Sequence, residues 1–136
     1  MLQLADHEGL VRYFQLTHDT LMECCLREPK RCYFLDAASG TAVVGYATYM
    51  FQFSPWLRAS ICSSTIYVAE EARKSGVGRC LMRRVAQIAL DRDVDVRWHV
   101  ETNNLPAQKF YAGLGAELRD RFIAYWSRDA IRPLLD

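Results

Sequence analysis

The stretch EEARKSGVGRCLMRRVAQIAL, Glu70 to Leu90, constrains the fold of this chain more than any other. After Gly76 and Gly78, Leu81, Val85 and Ile88 fall on one helical face while Arg79, Arg83 and Gln87 fall on another. That spacing predicts a helix packed on a sheet through one apolar stripe. A glycine turn that opens straight into a helix leaves backbone N–H groups unpaired at the positive end of the helix macrodipole. Such a turn is an anion site, with phosphate as the usual guest. A side chain at either glycine would hold a phosphate away from the backbone, and Arg73, Lys74 and Arg79 add full charges around the same spot. Glycines that simply accept φ > 0 in a turn would leave the same letters.

The rest of the chain supplies a sheet for that helix. Asp6 to about Glu28 has helical periodicity at Leu10, Val11 and Phe14 and again at Leu21, Met22 and Cys25, with Pro29 as its stop. RCYFLDAASGTAVVGYATYMFQF reads as strand, Ala-Ser-Gly turn and strand, a hairpin. Ser60 to Val68 is a further strand, and Val94 to Val100 alternates as a half-buried one. In NNLPAQKFYAGLGA, Asn104 is a plausible N-cap, Pro106 suits the first helical turn, and Gly113 or Gly115 ends a short helix. Leu118 to Trp126 reads as the last strand. One domain over residues 1–136 is expected at this length.

Composition excludes several classes. With 51% hydrophobic residues, 24% charged and a net charge of +1, the chain reads as globular, without the basic excess of a dedicated nucleic-acid binder. Cys24, Cys25, Cys32, Cys62 and Cys80 form no C-x-x-C pair and no zinc-finger spacing, so no metal is expected. Free thiols fit a reducing cytoplasm. The N-terminus shows no basic start followed by a long apolar run, and the apolar stretches are shorter than the roughly 20 residues of a membrane span.

Three phosphate motifs compete for the glycine turn. A P-loop needs Lys-Ser or Lys-Thr after its last glycine, which Gly78 lacks. A dinucleotide fingerprint needs a third glycine where this chain has Leu81. What remains is R-x-x-G-x-G, formed by Arg73, Gly76 and Gly78 after a strand and before a helix. Together with NNLPAQKFYAGLGA, this arrangement resembles the GNAT family of N-acetyltransferases, whose Asn-x-x-Ala-x-x-Phe-Tyr-x-x-x-Gly segment follows its glycine loop in the same order. VVGYATYMFQFSPW is similar to the strand that leads into the active site in the diamine and spermidine/spermine branch.

The resemblance implies a GNAT acyl-CoA N-acyltransferase fold of the α/β (α+β) class. Its mixed, mostly antiparallel central sheet is flanked by helices, and the family's N-terminal strand is expected to be absent here. It also implies acetyl-CoA as co-substrate, the primary amine of a small molecule, polyamine- or diamine-like, as acceptor, and a homodimer. The cofactor would lie on Ile66, Tyr67 and Val68 as an added strand, and on the loop Arg73, Lys74, Ser75, Gly76, Val77, Gly78 and Arg79. Asn104 and Lys109 would contact it further along. Tyr111 takes the family's tyrosine position as general acid, although helical phase alone reads it as a core aromatic beside Phe110. Ser64, Thr65, Trp56 and Glu101 are the acceptor-side residues. Polyamine-acetylating relatives carry adjacent acids where this chain has Ser64 and Thr65, so the general base is open among Glu70, Glu71, Glu101, His99 and a relayed water. A second reading is a GNAT-like module that binds acyl-CoA without turnover.

Overall fold

The structure is a computed structural model that describes residues 15–55, 58–120, 124 and 126–134, with no side-chain description at 54, 58–64 and 134. The chain divides into two compact units, Met1–His99 and Val100–Asp136. The first holds helix α1 (His18–Cys25), strands β1 (Tyr33–Ser39), β2 (Ala42–Ser54) and β3 (Arg58–Val68), helix α2 (Val77–Asp91) and strand β4 (Asp95–Arg97). The second holds helix α3 (Leu105–Ala112) and the single turn α4 (Arg128–Ile131).

The sheet order is β1-β2-β3-β4. The first two junctions are antiparallel and the β3–β4 junction is parallel, giving the mixed, mostly antiparallel sheet that was expected. The expected hairpin forms through Gly40, which adopts φ +61° at the turn. Helix α2 covers one sheet face. Leu81, Val85 and Ala89 are buried against Ala47 and Tyr49, with Leu35, Ile66, Val68, Ile88 and Val96 packed around them. Val85 is 1% exposed and Ala47 0%, so the apolar stripe read from the sequence is the core contact.

Gly45 sets how closely that helix approaches. A Cβ built on it would lie 3.0 Å from the Tyr67 carbonyl oxygen and 3.0 Å from Val77 Cγ1. Glycine therefore lets the first residue of α2 sit directly over the end of β3.

Three expectations need correction, and one falls outside the described residues. Helix α1 starts after an N-cap at Thr17, whose hydroxyl accepts from the Thr20 N–H, and ends at Cys25, not Glu28. The chain reverses there because the Cys24 carbonyl accepts from the N–H groups of Arg31 and Cys32. The earlier helical periodicity, and the question of a strand ahead of it, fall on residues 1–14, outside the described residues. Strand β4 is confined to Asp95–Arg97 because its pairing with β3 ends at Cys62↔Arg97. No strand is found at the described positions of the Leu118–Trp126 segment, residues 118–120, 124 and 126. Alternation there meets no described strand in its own unit with which to share a ladder.

Candidate active site

Strand β3 outruns its neighbour. β4 pairs with it from Ser60 to Cys62 and stops, while β2 follows it to Val68. From Ser63 to Val68 no strand covers the β4 side among the described residues. The Ala69 N–H donates to the Val44 carbonyl, so the amides of odd-numbered residues here turn toward β2. By alternation Ile66 and Val68 turn their backbone groups toward the uncovered side. The Arg73 guanidinium confirms this by donating from Nε to the Val68 carbonyl at 3.2 Å.

A bulge interrupts the strand at its centre. Thr48 pairs with Thr65 and Tyr49 with Ser63, which leaves Ser64 as the extra residue. Bulges re-aim backbone groups and bend the strand, and they collect beside functional sites. Ser64 and Thr65, the two positions singled out for the acceptor, are thus the bulge and the residue after it. Ile66 and Val68 pack their side chains on the α2 face, and the half-buried Thr65 and Tyr67 occupy the other.

The loop that follows leads straight to the helix start. Glu70–Ala72 forms one 3-10 turn, and the Ser75 hydroxyl donates to the Ala72 carbonyl at 2.6 Å. Lys74 adopts φ 63° and Gly76 φ 93°, the left-handed conformations that turn successive amides outward. The first bond of α2 runs from the Cys80 N–H to the Gly76 carbonyl, so the amides of Val77, Gly78 and Arg79 precede the ladder. The N-cap, Gly76, offers no side-chain acceptor for them. Arg73, Lys74 and Arg79 are exposed and form no ion pair among the described residues.

Two details differ from the sequence reading. Gly78 lies inside the helix as its second residue, not in the turn. Nothing approaches a Cβ at Gly76 within 4 Å, so the left-handed φ is what demands glycine there within the chain itself. Open space and a left-handed turn together leave this helix start accessible to an anion.

The second unit carries the other motif. The Asn104 side chain accepts from the Ala107 N–H at 3.1 Å, with Pro106 in the first turn of α3. Its oxygen is thereby used as the N-cap. Gln108 ties the preceding loop down by donating from Nε2 to the carbonyls of Glu101 and Thr102. Tyr111 is half-buried, its ring edge-on to Phe110 at 5.2 Å between centroids, and its carbonyl closes the helix end by accepting from Leu114 and Ala116. Lys109 and Glu101 are exposed, as are Glu70, Glu71 and His99. Trp56 lies outside the described residues, and of Ser64 the backbone alone is described.

The sequence profile described as Acetyltransferase (GNAT) family matches residues 1–116. The chain belongs to the GNAT acetyltransferase family. Among GNAT proteins it is similar to the thialysine N-epsilon-acetyltransferase of Bos taurus, with 38% identity over 79 residues, 57% of this chain and 46% of the relative. The enzyme of the same description from Mus musculus is 33% identical over 81 residues, 59% of this chain and 48% of its own. The match therefore spans about half the length of these curated relatives.

Solved structures agree on the GNAT fold. An integron cassette protein from the mobile metagenome of V. cholerae superposes with a TM-score of 0.77 and 24% identity, covering 98% of this chain and 86% of that one. The aminoglycoside N-acetyltransferase AAC(6')-Iy, solved with CoA, gives a TM-score of 0.67 at 19% identity over 93% of this chain and 86% of its own.

The sequence showed the glycine turn that opens into α2 but not the part of Gly45 or the anchoring of Arg73. A glycine inside the strand VVGYATY is a signal of close backbone approach, and it was available. The bond of Arg73 to Val68 depends on where the loop turns, which the letters do not carry.

Proposed function

We propose that this chain is an acetyl-CoA-dependent N-acetyltransferase acting on the primary amine of a small molecule, with residues 1–136 acting as one GNAT domain. The observation that carries this reading is the uncovered edge of β3 running through Arg73–Gly76 into the bare start of α2. One end offers an amide ladder to an extended amide-bearing chain, and the other offers N–H groups and cations to a pyrophosphate. Acetyl-CoA has those two parts in that order, and when bound it supplies an activated acyl thioester.

Within this reading, the backbone groups of Ile66 and Val68 hold the pantetheine as an added strand, whereas Tyr67, expected to share that role, turns its own backbone groups toward β2. The amides of Val77, Gly78 and Arg79 hold the pyrophosphate, with Lys74, Ser75 and Gly76 forming the turn beneath it. Arg73 spends its Nε on Val68 and so fixes the loop to the strand. Lys109 and Asn104 are the further cofactor residues. An outward amide next to the Ser64 bulge stabilises the negative charge that develops on the thioester oxygen. The neutral amine nitrogen forms its bond to the acyl carbon, the C–S bond breaks, Tyr111 gives its phenolic proton to the departing sulfur, and the nitrogen releases a proton. Thr65 orients the acceptor, the family resemblance assigns Trp56 and Glu101 to the acceptor as well, and Glu101, Glu70, Glu71 or His99 is the candidate that passes the released proton to water.

Free Cys24, Cys25, Cys32 and Cys80 support a reducing, cytoplasmic setting. The outer edge of β1, which pairs with β2 alone among the described residues, supports a pairing of two copies. Among the described residues no helix is long and apolar enough to cross a membrane.

The test offers acetyl-CoA and a panel of primary amines while free thiol is read. The reading expects thiol release with at least one amine, slowed by about 10²-fold or more in Tyr111→Phe with cofactor affinity retained. Tight CoA binding with no thiol release across the panel would leave a non-catalytic acyl-CoA-binding module in its place.

A further inference from the structure

On the sheet face opposite α2, the packing under α1 is incomplete. Phe34, Thr48 and Thr65 are consecutive cross-strand partners, so their side chains form one rung across β1, β2 and β3. That rung floors a cavity of about 150 Å³ that Leu21, Cys24 and Cys25 of α1 roof. Among the described residues that line it, none carries a carboxylate, ammonium, guanidinium or imidazole. Its heteroatoms are thiols and two threonine hydroxyls, and Thr48 is 2% exposed.

Lining and size restrict the occupant. A charged group placed there would give up part of its hydration, and none of the described lining residues supplies a counter-charge. Cavities near 150 Å³ with apolar walls accept a molecule of about benzene size. The location ties the cavity to the transfer edge, because Thr65 ends the rung on the same strand as the Ser64 bulge. A group lodged over the rung points its substituent along the rung toward β3.

We propose that this cavity is the acceptor's specificity subsite and takes the uncharged aryl or branched-alkyl end of a primary monoamine, leaving the amino group at Thr65. The proposal rests on the acyl-transfer reading for the word acceptor, while the cavity's preference stands on its lining alone. A second ammonium, as in a diamine, is disfavoured in this subsite because none of the described residues lining it supplies an anion. Cys24 sets its depth from α1 and Thr65 its far end.

The experiment titrates 4-fluorophenethylamine into the full chain and follows its ¹⁹F resonance, with 1,4-diaminobutane as competitor. Saturable binding is expected, with nuclear Overhauser contacts from the fluorophenyl protons to the Phe34 ring and the Thr48 methyl in the unsubstituted protein. The diamine should displace it at least about tenfold less effectively than phenethylamine does. Cys24→Phe, which fills the cavity from its roof, should weaken binding by a similar factor. Contacts that avoid Phe34 and Thr48, or a diamine that competes better than the arylamine, overturns the subsite whether or not that variant folds. Thiol release from acetyl-CoA is read separately. Arylamine bound at Phe34 and Thr48 without release overturns acyl transfer and keeps the subsite, and release with diamines in preference to monoamines does the reverse.

Discussion

Two glycines in the first unit require glycine for different reasons, and substitution separates them. Gly76 has φ 93° with open space around a built Cβ, so Gly76→Ala introduces backbone strain alone. A cost of about 1–2 kcal/mol is expected, read as a lower denaturation midpoint. Gly45→Ala meets the Tyr67 carbonyl and Val77 at 3.0 Å, and the carbonyl belongs to a paired strand that has little room to retreat. Overpacking of about 1–3 kcal/mol is expected, together with weaker CoA binding by calorimetry, because the helix start is pushed off the end of β3. An unchanged CoA affinity in Gly45→Ala would show that the close approach does not set the cradle. At this scale the letters of the loop were legible because glycine before an amphipathic run has few uses. Gly45 was hidden among apolar neighbours, since the same strand reads identically with its face covered by a helix or not. Asn104 carried two meanings in the sequence, and its bond to the Ala107 N–H makes it the cap of α3.

Helix α2 joins the core to the cofactor edge, so damage to its buried stripe propagates to both. Leu81 is 3% exposed and packs with Ala47, Tyr49 and Val85, so Leu81→Ala should cost about 2–5 kcal/mol in urea unfolding. Exposed Arg83, on the face of the helix opposite the stripe, should cost less than about 0.5 kcal/mol when replaced by Ala. Equal costs at the two positions would contradict the packing of the helix. Periodicity made α2 readable from Leu81, Val85 and Ile88, and the hairpin from its Gly40 turn. It failed where an element depends on a partner. Val94–Val100 alternates throughout, yet the ladder holds Asp95–Arg97 because β3 and β4 part at Cys62. That parting exposes the functional edge, and strand propensity carries no record of where two strands separate. At the described positions of Leu118–Trp126 no strand forms.

Across the first unit, burial of weak acids shapes the response to pH. Burial, then the neighbouring Cys25, holds the Cys32 thiol above its ordinary 9.0. Burial, then Tyr33, likewise holds the Tyr49 phenol above its ordinary 10.0. Both groups are neutral when protonated, so below the ordinary values the folded and unfolded chains bind equal protons at these sites and no stability is lost. Above them the unfolded chain ionises first, and stability falls as pH rises through each window. A thermal midpoint that declines from about pH 9 upward is expected, with a shallower decline in Cys32→Ala. A flat alkaline profile would contradict the burial of both groups.

The central claim is that the edge from Ser63 to Val68 and the start of α2 hold acetyl-CoA for transfer to an amine. Mass spectrometry of the amine, run beside thiol detection in the same reaction, tests it most directly. N-acetylated amine and free CoA should form one for one, and both should fall together when Gly76 is replaced by Phe. CoA released without acetylated amine, or transfer that survives Gly76→Phe undiminished, would contradict it.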